Sequence, residues 1–245
     1  MQLSLVHAKY QFIETIRVPI AVISAVFFPT AAMIFFVVPF AGHDPVASTY
    51  ATASMVTFSV MMNCLFSYGV GVAEDRAQPW DPFTRTLPAG SGPKFAGRIL
   101  NSVVFMVMSL IPVVAVAAIA TEATITTFRL LAAIGTLVLV AVPFTLMGLA
   151  IGYALPSKAA LATAQIVFFP LAFGGGLLAA PGQSPGFVEV IAPFLPTRGA
   201  VELMWRAVGD FKVSVTSMIM LVVWILLSGA LATWAYRRDE GRRFA

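Results

Sequence analysis

The sequence predicts an all-α membrane protein with six transmembrane helices, a surface helix before the first and a polar segment between the second and third. Three observations carry this. The chain is 59% hydrophobic and only 11% charged, with a mean hydropathy of +0.91, whereas a soluble domain is about half apolar and about a quarter charged. Apolar stretches of about 20 residues recur, the length that crosses a hydrocarbon core about 30 Å thick. Charged residues gather at the ends of those stretches rather than inside them. A chain of 245 residues built this way makes a single transmembrane domain over 1–245, with no room for a soluble catalytic domain.

Residues Gln2–Arg17 read as an amphipathic helix, because Leu3, Val6, Tyr10 and Ile13 recur at helical steps with His7, Lys9, Gln11 and Glu14 elsewhere. With Lys9 and Arg17 at headgroup level it lies along the membrane surface (1–17). The apolar run that follows begins too late and extends too far for a cleavable signal. Spans are expected at about 19–40, 46–72, 95–120, 128–155, 159–180 and 213–236. Gly42-His43-Asp44-Pro45 ends the first, Thr121–Thr127 separates the third from the fourth, and Pro156-Ser157-Lys158 closes the fourth.

Six spans put both termini on one side. That side collects 11 of the 15 basic residues: Lys9, Arg17, Arg76, Arg85, Lys94, Arg98, Lys158, Arg237, Arg238, Arg242 and Arg243. The other side has Arg129, Arg198, Arg206 and Lys212. Cytoplasmic loops carry the excess of Lys and Arg, so both termini and the polar segment Ala73–Arg98 are expected in the cytoplasm of a multi-pass inner or plasma membrane protein. The net charge of +4 reflects this asymmetry and gives no reason to expect nucleic acid. The outer connection 181–212 is long, weakly polar and broken by Pro193 and Pro196. It reads as two short helices re-entering the outer leaflet, with an ordinary outer loop as the alternative.

No Asp, Glu, Lys, Arg or His falls well inside a predicted span. Proton relays and ion-driven transporters depend on such groups. The two histidines, His7 and His43, fall on opposite sides of the membrane, and Cys64 is the only cysteine, so no metal site, disulfide or catalytic triad can be assembled. Energy for active transport must then come from another subunit. Within the second span Ser48, Thr52, Ser59, Asn63 and Ser67 form one stripe, with Met62 and Phe66 at its edge. The stripe either lines a pathway for an amphiphile or packs helices together, and the amide of Asn63 needs a partner in hydrocarbon. Gly174-Gly175-Gly176 allows close approach or local unwinding in the fifth span, beside Phe168, Phe169, Pro170 and Phe173.

The polar segment contains Asp75-Arg76, Arg85, Pro88 and Gly97-Arg98 in that order. In this it resembles the cytoplasmic loop after the second span of ABC exporter permeases of the type-2 family, the drug- and polysaccharide-exporter group. Pro79 stands where that family commonly has Gly, and Pro82 adds a second break. APFLPTRGAVELMWRAVGD resembles the family's Pro-x-x-x-Pro stretch and the helix after it. The resemblance implies a permease subunit of an ATP-driven exporter of the drug- or antibiotic-efflux group, with no catalytic residue or cofactor of its own. ATP and Mg would be held by a separate ABC ATPase, in two copies. It implies pairing with a second copy or a related permease, and a coupling helix within 73–94 that docks on the ATPase. Asp75, Arg76 and Arg85 would offer charge there, and Trp80, Phe83 and Leu87 apolar anchors. Thr52, Ser59, Met62, Asn63, Phe66, Phe169 and Phe173 are the candidate residues along the pathway. The cargo would be an amphiphilic small molecule, lipid or peptide moving outward. The alternative is a secondary transporter or channel needing no ATPase; a membrane-embedded enzyme has no candidate residues.

Overall fold

The computed structural model of the chain describes residues 2–17, 19–79, 92–178, 180–182 and 184–243. Among them there is no strand. Helix α1 spans Gln2–Ile16. Helix α2 runs through Pro19–Ala32, a wide π turn at Met33–Val37 and Val38–Ala41. Helix α3 is Pro45–Ala77, α4 is Gly92–Ala120, α5 is Thr127–Ala154 and α6 is Ser157–Gly174. Two short helices follow, α7 at Gly186–Ile191 and α8 at Pro196–Val208, and α9 covers Val215–Arg243. Five of these are long and apolar enough to cross a membrane: α3, α4, α5, α6 and α9. A shorter apolar helix, Val26–Ala41, lies within α2.

Helix α3 is the hub, and its sequence explains why. Asp44 caps its start, with Oδ1 accepting from Val46 N at 2.8 Å and Ala47 N at 3.0 Å, and Pro45 takes the first helical position. Its next turns are rich in Ala, Ser and Thr, which let neighbours approach on every side. Two of the hydroxyls turn back onto their own helix: Thr52 donates to Ser48 O at 2.7 Å and Thr57 to Ala53 O at 2.9 Å. Helices α2, α4, α5, α6 and α8 all pack on it, so Ser48, Ser54, Thr57, Met55, Val60 and Met61 are buried round the whole circumference.

The helix then widens. Over Leu65–Val70 it makes a π turn, closed by Gly71 N donating to Phe66 O five residues back. Against this turn α5 sets Gly148 and Gly152, spaced as G-x-x-x-G. A Cβ on Gly148 would come within 2.7 Å of Cys64 O, and one on Gly152 within 2.5 Å of Tyr68 O, so backbone meets backbone there.

Helix α9 lies along α5 and α8, and α1 crosses the start of α4. At that crossing a Cβ on Gly97 would sit 2.6 Å from His7 Cβ, and Phe12 meets Phe105 with ring centroids 5.7 Å apart. Val6 and Tyr10, on the stripe expected to be apolar, are exposed.

Three boundaries differ from expectation. The fifth span ends at Gly174 rather than near Ala180, because Gly176 (φ +74°) closes α6 with Gly176 N on Phe173 O at 3.1 Å and Leu177 N on Ala172 O at 3.1 Å. Helix α9 continues past Tyr236 to Arg243. Helix α3 continues past Val72 to Ala77, so Glu74, Asp75 and Arg76 stand on a helix. The expected pair of short helices in 181–212 is present as α7 and α8.

Candidate functional site

Residues 80–91 join α3 to α4 in the sequence and lie outside the described residues; the helices beside the end of α3 and the start of α4 are tied together by two arginines. Arg76, on the last turn of α3, reaches across the bundle. Its Nη1 donates to Gly152 O at 2.6 Å and Leu155 O at 3.2 Å, at the end of α5. Its Nε and Nη2 both bond Asp239 Oδ1 of α9, the former at 3.1 Å. Asp239 is buried, and the Arg76 guanidinium also lies 5.9 Å over the Tyr153 ring. The last carbonyls of α5 have no partner within their own helix, and here a cation meets them.

Arg98, on α4, does the same for the widened part of α3. Its Nη1 donates to Ser67 O at 2.9 Å, its Nη2 to Gly71 O at 3.3 Å, and the same Nη2 pairs with Asp75 Oδ2. The guanidinium fork thus grips one carbonyl inside the π turn and one just after it. Ser157 Oγ, at the start of α6, donates to Ala73 O at 3.1 Å. Five helices, α3, α4, α5, α6 and α9, therefore converge on one collar at the base of the 80–91 segment.

Asp75 and Arg76 thus hold partners within the chain. Trp80, Phe83, Arg85 and Leu87, the other residues expected at a docking surface, lie outside the described residues.

The candidate pathway residues do not share one place. Thr52 lines a cavity of about 350 Å³ between α3, α4, α5 and α8, among Val56, Leu110, Val114, Leu130 and Met204. Asn63 faces α4, and in the amide orientation that satisfies both ends it donates to Ser102 O and accepts from Met106 N, each at 3.3 Å. Ser59 is buried on the hub, and Met62 is half-buried. Phe66 meets Phe168 of α6 at 6.0 Å between centroids. Phe169 and Phe173 stack at 6.4 Å on the exposed face of α6.

At the far end of α3 a second polar node was not expected from the sequence. Arg198 of α8 is buried. Its Nε donates to Glu202 Oε1 at 2.9 Å and its Nη2 to Glu189 Oε2 of α7 at 3.0 Å. Glu202 also accepts from Ser217 Oγ at 3.0 Å and Ser214 N at 2.7 Å, which pins the start of α9. One turn on, the buried Trp205 donates its indole N–H to Tyr50 O at 3.1 Å and Ser54 Oγ at 3.0 Å on the hub. The signal was present in the sequence as an Arg-x-x-x-Glu step followed by Trp in a proline-bounded amphipathic stretch. The G-x-x-x-G of α5 was also legible. Asp239 carried no signal, because an acid beside Glu240 among four arginines reads as solvated. Among the described residues no group of His, Cys, Asp or Glu is placed to hold a metal ion.

A family model described as ABC-2 type transporter matches residues 3–208 of the chain. A curated relative, "Putative transport permease YvfS" of Bacillus subtilis (strain 168), is 22% identical over 187 residues, covering 76% of each chain.

Proposed function

The chain belongs to the ABC-2 type transporter family, and from that premise we propose that it exports an amphiphilic small molecule, lipid or peptide, with the 80–91 segment as its docking point on the motor. The family assignment makes the protein the non-catalytic membrane permease of an ABC transporter. ATP is bound by the separate ATPase subunit with which such permeases pair.

The observation that carries the docking proposal is the collar. A motor that pushes on a loop does work only if the loop cannot yield on its own. Here the base of the loop is bonded to five helices through Arg76, Arg98 and Ser157, so displacement of the segment is displacement of the bundle. In this reading Asp75 and Arg76 hold the mount, while Trp80, Phe83, Arg85 and Leu87 meet the ATPase. Trp and Arg are the residue types that dominate interfaces.

The basic asymmetry supports six spans with both termini in the cytoplasm, and α7 and α8 re-entering from outside. Two permeases and two ATPases form the working unit. The exposed Phe169 and Phe173 with Phe66 line the route between permeases, and Thr52, Ser59, Met62 and Asn63 line its approach along the hub. The drug- and antibiotic-efflux group is the cargo class that such an aromatic lining fits best.

The test is the double variant Trp80→Ala with Phe83→Ala, expressed with its ATPase. Loss of two hot-spot side chains weakens the complex by at least about a hundredfold, so co-purification fails while the permease keeps its thermal stability in detergent. Intact co-purification with unchanged coupled ATPase activity would remove the segment as the docking point.

A further inference from the structure

Along one flank of the bundle, where α9 lies on α5, runs a groove of about 1160 Å³ that takes no part in the collar's hydrogen bonds. Its walls are apolar, with Leu146 and Leu149 on α5 and Ile225 and Leu226 on α9. It exists because α9 turns small residues toward it: a Cβ built on Gly229 would approach nothing nearer than Leu146 Cδ1 at 3.7 Å. From Ile225 to Arg238 it follows about 13 residues of helix, and so about 20 Å. One hydrocarbon leaflet, about 15 Å, plus a headgroup layer has the same depth.

The end of the groove is basic. Arg237 and Arg238 both line it and are exposed, and the Arg238 guanidinium lies 5.2 Å over the ring of Trp234. Of the neighbouring acids, Asp239 is paired with Arg76, while Glu240 accepts from Tyr236 OH at 2.7 Å and keeps its charge. The mouth therefore sets two arginines against one carboxylate and stays net positive, with an indole at the level where aromatic residues meet headgroups.

We propose that this groove binds an anionic diacyl phospholipid of the leaflet beside the basic end of α9. Its phosphate lies on Arg237 and Arg238, and its two acyl chains run between α5 and α9 toward Ile225. Volume favours two tails, since drug-sized ligand sites hold roughly 300–1,000 Å³. Charge disfavours a second copy of the chain, because a two-fold contact across the groove would set the arginines of both copies against each other. Basic pockets at the ends of membrane helices take anionic headgroups by the same electrostatics. The inference depends on the chain lying in a membrane and not on what it transports.

The full chain in mild detergent, titrated by native mass spectrometry with dioleoyl phosphatidylglycerol, dioleoyl phosphatidylcholine or inorganic phosphate, tests it. Phosphatidylglycerol is retained at least about tenfold more tightly than phosphatidylcholine. Arg237→Gln with Arg238→Gln weakens its binding by about thirtyfold, each arginine being worth about fivefold at an anionic surface. Gly229→Leu, which fills the groove, also lowers it. Equal retention of the two lipids, or unchanged phosphatidylglycerol binding in the arginine variant, overturns the proposal. So does displacement of the lipid by phosphate alone, which would mark a soluble-anion site, and so does a dimer lost on Gly229→Leu, which would mark a protein interface. Co-purification of the ATPase is independent of every one of these outcomes.

Discussion

The two ends of α3 are both held by buried arginine–carboxylate chemistry, and they use it differently. At the Trp205 end, Arg198 bonds Glu202 four residues along its own helix and Glu189 nine residues before it. The pair stiffens a local unit, and Glu202, 2% exposed, has each of its oxygens occupied by donors from α8 and the α9 start. At the Arg76 end the partners are 76 to 163 residues apart in the chain, and half of the bonds go to backbone carbonyls. One node keeps a polar helix buried; the other binds separate helices into one body. Burial of charge stabilises little by itself, since desolvation offsets much of the attraction. What distinguishes the nodes is which parts of the chain they make move together.

That contrast can be broken by experiment. The largest effect is expected for Glu202→Ala, which leaves Arg198 half-compensated in the interior and orphans Ser214 N and Ser217 Oγ. The cost is about 3–5 kcal/mol, read as a large fall in thermal stability in detergent. Arg76→Leu comes next. It takes the Arg76 cation from Asp239 and two helix-end carbonyls, at about 2–3 kcal/mol, and removes the hydrogen bonds that tie the end of α3 to α5 and α9. ATPase activity should then be uncoupled from transport in reconstituted vesicles even where the permease is still folded and bound to its motor. If Arg76→Leu instead lowers only stability, and Glu202→Ala uncouples a stable protein, the assignment of the two roles is reversed. The smallest effect is expected for Asp210→Asn. The Arg129–Asp210 pair is 39% and 87% exposed at its side chains, so its loss should change stability by less than about 1 kcal/mol, and a melting curve matching wild type is the control for the other two.

The helices were legible in the sequence because hydrocarbon imposes a length and a composition, and α3, α4, α5 and α9 follow both. The early stop of α6 was half legible: the glycine run marked a weak point, but whether backbone unwinds or packs there depends on what faces it. The nodes were less legible for a different reason. Arg76 and Asp75 read as surface charges because they sit in the most polar stretch of the chain, and nothing local tells that Arg98 and Asp239 are folded against them. Asn63 was singled out for needing a partner, and its partners are backbone atoms of α4 that carry no sequence signature. Pair chemistry between distant segments is visible only once the helices are placed.

The wide turn at Leu65–Val70 gives α3 an unequal phase along its length. A turn closed by a bond five residues back holds one residue more than a regular turn, and one residue is about 100° of rotation. The helix is thus a shaft keyed at both ends, by Trp205 on Tyr50 and Ser54 and by Arg98 on Ser67 and Gly71, with the surplus residue setting the angle between the keys. Were the wide turn to migrate toward Ser54, only the residues it passed would rotate, and both keys would stay engaged. Were the surplus removed, one key would have to let go.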